Sequence, residues 1–193
     1  MRQNVSLAEI SDGHLYKAND MVKADCGGCE GCSQCCRGMG SSIILDPYDV
    51  YRLTTGIGKS MQELLATSVE LNVVDGVILP NLKMQGTREA CAYLDTEGRC
   101  SIHPYRPGIC RLFPLGRHYE NGGLFYFLQT GECAKENRSK VKVSKWIDTP
   151  ELKRNEQFKL QWHDLLSAMT DRVAGEDEGK QREENLLLLR LFY

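Results

Sequence analysis

Residues 26 to 36 read Cys26-Gly-Gly-Cys29-Glu-Gly-Cys32-Ser-Gln-Cys35-Cys36, five thiols in eleven residues. Packing does not account for such a run. A buried cysteine is a small apolar side chain, and a core has no use for one at every third position. The interleaved Gly27, Gly28 and Gly31 add no apolar surface; they add backbone freedom, positive φ included. A stretch of this kind suits a chain that folds back around one point. The simplest such point is a metal ion or cluster with thiolates as its ligands.

Four further cysteines, Cys91, Cys100, Cys110 and Cys133, follow at wider intervals, each beside a turn signal: Gly98, Gly108 or Gly131 near the last three. Loop thiols next to glycine suit ligands, because loop N–H groups can bond to sulfur and tune a metal centre. The total is nine cysteines, which excludes complete pairing within one chain. Zinc in a structural site and a [4Fe–4S] cluster each take four ligands, so nine thiols suffice for two centres with one to spare. Neighbouring Cys35 and Cys36 point apart in regular backbone, which makes them the natural junction between two centres. Cys26 is the thiol most readily given up. The Cys-x2-Cys-x2-Cys spacing also opens the bacterial ferredoxin run. It tips the reading slightly toward iron–sulfur over zinc.

The rest of the composition narrows the class. Net charge is −2, 41% of residues are hydrophobic and 26% are charged, in a chain of 193 residues. No electrostatic case exists for nucleic acid or an anionic membrane. Met1 to Lys17 lacks the basic start and apolar stretch of a signal peptide. No apolar run approaches the roughly 18–20 residues of a membrane span. The expected location is cytoplasmic, where structural disulfides are rare.

Hydrophobic period and turn residues give an α+β chain with short helices and β-hairpins. Asp46 and Pro47 read as N-cap and first position of a helix, ended by Gly56 and Gly58. Ser60 caps a second helix to about Val69. Val73 to Leu79 around Asp75-Gly76 reads as a hairpin, with a second arm reaching toward Met84. Cys91 to Ile102 forms a tight hairpin-like unit about Asp95-Thr-Glu-Gly98. Pro107 opens a one-turn helix holding Cys110. Arg117 to Gln129 is a hairpin with its turn at Asn121-Gly122-Gly123. Ser144 to Ile147 starts a helix, and Thr149 with Pro150 starts a longer one. In that helix Phe158, Trp162, Leu165, Leu166, Met169 and Val173 share a face. An acidic break over Gly175 to Gly179 precedes a last amphipathic turn or two. Three segments result: an N-terminal extension, 1–25; a cysteine-cluster domain, 26–147; and a helical segment packing on it, 148–193.

Several side chains admit two readings. Arg37 after Cys36 and Arg111 after Cys110 could lower a thiol's pKa. His103 could ligate or serve as a base, although a satisfied loop histidine is the commoner case. Arg106, Arg111 and Arg117 could meet an anionic substrate, but an ordinary surface role outweighs that. Trp146 and Trp162 read as core.

Taken together, Cys29-x2-Cys32-x2-Cys35-Cys36 resembles the signature of the YkgJ-type CxxCxxCC cysteine-cluster family, which is named for zinc or iron chelation. Cys91-Ala-Tyr-Leu94, Gly98-Arg-Cys100-Ser-Ile102, Arg106-Pro107-x2-Cys110-Arg111 and Phe113-Pro114 are similar to its later motifs. So are Thr130-Gly131-Glu132-Cys133 and Val143-Ser-Lys-Trp146. A related cluster in flagellin lysine methylases implies a link to iron–sulfur chemistry. The chain has no G-x-G-x-x-G fingerprint, so methyl transfer is not carried over. Two positions depart from the pattern: Cys26 precedes it, and His103 stands where tyrosine is more usual.

The sequence therefore predicts a small irregular cysteine-rich metal-binding domain with a C-terminal amphipathic helix. Its metal ligands are Cys29, Cys32, Cys35, Cys36, Cys91, Cys100, Cys110 and Cys133, with Cys26 ninth. The cofactor is an iron–sulfur cluster, [4Fe–4S] slightly favoured, or zinc or iron at one or two sites. Its use is redox, or within an oxidoreductase or protein-modifying system. The alternative is a zinc-stabilised interaction module without catalysis. A protein partner or peptide substrate is expected. The sequence names no reaction.

Overall fold

The structure, a computed structural model, describes residues 6–27, 32–135 and 137–193. The first element among the described residues is a single turn, α1 (Leu7–Ile10), closed by Ser11 Oγ donating to the Leu7 carbonyl. Strand β1 (Met21–Asp25) runs up to Cys26. The doublet Cys35-Cys36 sits on a short 3-10 turn, Gln34–Cys36.

Helix α2 (Pro47–Ile57) starts as its sequence requires. Asp46 accepts from the Asp49 N–H at 2.9 Å, and the Asp49 carboxylate reaches back to the Asp46 N–H at 3.3 Å. Such reciprocal capping contributes about 1 kcal/mol. The helix does not stop at Gly56. It continues to Ile57 and ends on Gly58, in the left-handed region at φ 72°. Gly56 has a packing role instead, because a Cβ there would collide with the Tyr105 ring. Helix α3 (Met61–Thr67) carries the same capping box from Ser60 and Glu63, and stops short of Val69.

Val69 opens strand β2 (Val69–Val74), which pairs with β3 (Val77–Leu82) across Asp75-Gly76. The second arm does not continue to Met84. Strand β4 (Met84–Gln85) pairs instead with β5 (Ala90–Cys91). The partner of the Cys91 segment is thus Met84, and only one bridge, Leu94 to Cys100, closes the Asp95 turn. After a 3-10 turn at His103–Tyr105, α4 (Gly108–Leu112) carries Cys110. Strands β6 (Leu115–Glu120) and β7 (Gly123–Leu128) form the next hairpin.

Strand β8 (Ser139–Lys142) returns to pair antiparallel with β1. The reading of residues 1–25 contained no such strand. Helix α5 (Val143–Ile147) follows at once. Helix α6 (Leu152–Val173) is not capped by Thr149; its cap position is Glu151, at φ 48°, and Pro150 lies outside it. The final helix, α7 (Glu178–Phe192), is longer than the expected turn or two. Asp177 accepts from the Lys180 N–H and starts it inside the supposed break.

Mixed helices with short antiparallel pairs make the chain α+β, and among the described residues every sheet is two-stranded. Apolar burial gathers in three clusters. Val22, Ala24, Leu115 and Val143 centre one; Leu45, Leu53, Leu64 and Leu82 the second; Val77, Trp162, Val173 and Leu188 the third. Each fully buried side chain contributes about 1.5–3 kcal/mol. The second cluster matters for the thiols, because Cys91, Cys100 and Cys110 pack against it. Among the described residues no helix is long and apolar enough to cross a membrane.

Candidate metal centre

Short connections bring distant thiols together. Arg37 bridges Ala90, and Gly38 N–H donates to the Glu89 carbonyl at 2.9 Å. The doublet is thereby set beside Cys91. The Ser101 N–H donates to the Tyr93 carbonyl at 2.9 Å and folds Cys100 back toward the same place. Helix α4 supplies Cys110. Cys35, Cys36, Cys91, Cys100 and Cys110 lie near enough to perturb one another's ionisation.

The perturbations have distinct causes. Cys36 bonds to the Cys35 sulfur, which lowers Cys35 to about 7 against the pull of burial. The same bond, then burial, pushes Cys36 far up. Burial raises Cys91, Cys100 and Cys110, and each nearby thiolate raises them further. Backbone N–H groups two residues on, at Tyr93 and Ile102, bond to Cys91 and Cys100 and work in the other direction. A half-buried group of mutually repelling thiols with amides already aimed at sulfur is suited to a cation at its centre.

A second group surrounds a cavity of about 20 Å³ lined by Cys26, Cys32, Cys35 and Cys133, with Phe113, Pro114, Lys135 and Trp146. Cys35 belongs to both groups. Cys29 lies outside the described residues. Among the described residues no three His, Cys, Asp or Glu side chains are arranged to hold a metal ion as they stand.

The arginines divide by what they face. Arg111 is buried and gives its N–H groups to the carbonyls of Asp148 and Pro104, at 2.8 and 2.6 Å. Arg52 donates to the same Pro104 oxygen at 2.6 Å. Arg117 lies by Asp49. Arg106 faces the thiols, lowering Cys35 and Cys100. Its Nη1 bonds to His103 Nε2 at 2.8 Å, so His103 accepts and is neutral there. Its Nε is buried without a partner. A guanidinium whose charge favours the thiolate forms of Cys35 and Cys100 fits an anionic metal–thiolate centre. His103 has its ring nitrogen committed to Arg106 rather than to a thiol-side ligand position.

Beneath the thiols runs an ion network that the sequence reading missed. Asp49 Oδ1 accepts from the Gly108 N–H at 2.7 Å and fixes the start of α4, two residues before Cys110. Buried Lys159 of α6 contacts Asp46 directly and lies 3.9 Å from Asp49. Burial pulls Lys159 down to about 7 and pushes Asp49 up to about 6, the latter resisted by Gly108, Arg117, Arg52 and Arg111. The available signal was a lysine inside the apolar face of α6, where an unpaired charge would not be tolerated. Trp162 is buried as expected, whereas Trp146 is half-buried at the cavity and donates to the carbonyls of Leu112 and Phe113 at 3.2 Å.

Thiols gathered from five segments of the chain, with cationic and amide support, define a cysteine-cluster metal-binding domain. Residues 28–122, a little under half of the chain, match the CxxCxxCC family model, described as a "Putative zinc- or iron-chelating domain", and this segment is similar to that family. Cys26 and Cys133 fall outside the matched span. No curated protein and no solved structure matches the chain.

Proposed function

We propose that the chain carries a redox-active iron–sulfur cluster, of the [4Fe–4S] kind, held by Cys36, Cys91, Cys100 and Cys110. One observation carries this: four thiols from separate segments share one electrostatic neighbourhood, with the positive charge of Arg106 near enough to act on it. Bound there, such a cluster supplies one-electron chemistry. The protein's part is to hold the sulfurs, donate amide N–H groups from Tyr93 and Ile102, and balance negative charge with Arg106. A cytoplasmic setting and a protein redox partner go with this reading.

The test is anaerobic purification with iron, sulfide and zinc measured on one sample. The expected result is a brown protein with iron and sulfide in equal amounts, both lost in Cys100→Ser. A colourless protein holding zinc and no sulfide would defeat the cluster and favour a zinc-stabilised interaction module.

A further inference from the structure

The β2–β3 hairpin has two outer edges, and they differ. Asp75-Gly76 is a two-residue turn, with Val74 paired to Val77 beside it. From there the backbone groups alternate between the partner strand and the outside. On β3 the outward positions are Ile78, Pro80 and Leu82, and all three are engaged. The Ile78 N–H donates to Asn185 Oδ1 at 2.6 Å, and the Pro80 carbonyl accepts from the Leu45 N–H at 2.8 Å. The Leu82 N–H donates to the Ile43 carbonyl at 3.0 Å. On β2 the outward positions are Val69, Leu71 and Val73. Among the described residues nothing bonds to the outward backbone groups of Leu71 and Val73.

An open edge pairs with another strand unless the sequence blunts it. Strand β2, Val-Glu-Leu-Asn-Val-Val, has no lysine and no proline, and its register with β3 is unbroken. Leu71 and Val73 are 42% and 69% exposed, and the two-residue period puts them on one face. On that face Leu71 lines an apolar groove of about 210 Å³ with Met61 and Leu65 of α3 and Leu186, Leu189 and Tyr193 of α7.

We propose that β2 pairs antiparallel with β2 of a second copy of this chain, joining two hairpins into a four-stranded sheet across a twofold axis. The outward groups set the register. With Leu71 opposite the partner subunit's Leu71, Val73 falls opposite the partner subunit's Val69, and every outward position of β2 exchanges hydrogen bonds. The charges single out a second copy as the occupant. Between Thr67 and Asp75 the charged residues are Glu70 and Asp75. Glu70 lies opposite the partner subunit's Asn72, and Asp75 opposite the partner subunit's Thr67. Each carboxylate therefore meets a neutral donor, and like charges, which would destabilise a cross-strand pair, do not oppose. The same match already holds within one chain, where Asn72 Nδ2 donates to Glu70 at 3.2 Å. The two Leu71 side chains meet on the groove face and remove each other from water.

The test is sedimentation equilibrium of the full chain, purified anaerobically so that no intermolecular disulfide imitates the contact. In the micromolar range it should give twice the mass of one chain. Val73→Lys puts a cation at the exposed edge and should sediment as a single chain, with its far-UV dichroism unchanged. Hydrogen exchange needs no variant: the Leu71 and Val73 amides should be protected in the dimer and exchange freely after dilution to single chains. A single-chain mass for the unaltered protein overturns the pairing. So does a dimer as tight in Val73→Lys as in the unaltered chain, or one whose two amides exchange freely, because either puts the contact on another face.

Discussion

Asp49 carries three duties with one carboxylate. It closes the α2 capping box, holds the Gly108 N–H at 2.7 Å, and stands near buried Lys159. Burial holds it at about 6, above the ~3.9 of an unfolded chain. The folded state therefore binds this proton more tightly than the unfolded one. From pH ~6 down to ~4, its contribution to stability rises as pH falls; above ~6 its cost is constant. The charges facing it, Lys159, Arg117, Arg52 and Arg111, set how far the shift goes. Urea unfolding across this range should show wild type gaining about 2–3 kcal/mol relative to Asp49→Asn on acidification. Parallel curves for the two proteins would contradict the assignment. The chain reading assigned Asp46 its cap but had no place for Asp49 or Lys159. A cap is a matter of three residues, whereas the ion network joins α2 to α6 across more than a hundred.

At the scale of elements, the same divide separates what was legible from what was not. Helices α2 and α3 and the β2–β3 and β6–β7 hairpins were readable, because their caps and turns lie within a few residues. Strands β1 and β8 were not. Met21–Asp25 alternates between exposed and buried along only five residues, and its partner begins at Ser139. Helix α7 was underestimated because its first turns are charged, and its reason for folding is tertiary. Asn185, 4% exposed, accepts from the Ile78 N–H at 2.6 Å and donates to the Gly76 carbonyl at 3.1 Å. Tyr193 donates to the Leu45 carbonyl at 2.9 Å. These bonds lock α7 onto the β2–β3 turn and the second cluster. Asn185→Leu strands buried backbone groups and should cost about 2–4 kcal/mol. The drop in thermal midpoint should come with unchanged metal content, since Asn185 bonds to Ile78 and Gly76 of the β2–β3 hairpin, which carries no thiol. For the thiols, residue type and spacing pointed to metal binding, which the family match over residues 28–122 supports. The allocation of each thiol to a group depended on strand pairings that no local pattern encodes.

Among the described residues burial gathers in three clusters, and one of them, the second, packs against Cys91, Cys100 and Cys110. Cys91, Cys100 and Cys110 complete the rim of the second cluster, while the third is built from β3, α6 and α7. Thiolate–metal bonds in small zinc domains contribute about 10–16 kcal/mol, as much as an entire domain's stability. Removing metal should therefore loosen the chain unevenly. Hydrogen exchange after chelation is expected to accelerate through residues 32–36 and 90–112, and to change little in α6. Uniform protection before and after chelation would show that the thiols are not holding these loops. The doublet on the Gln34–Cys36 turn adds a further consequence. Cys35 and Cys36 stand one peptide unit apart, ~3.8 Å between Cα atoms, and Cys35 both lines the small cavity and neighbours the other thiols. Metal bound through either thiol would order the cavity wall together with the thiol group, and its loss would release both at once.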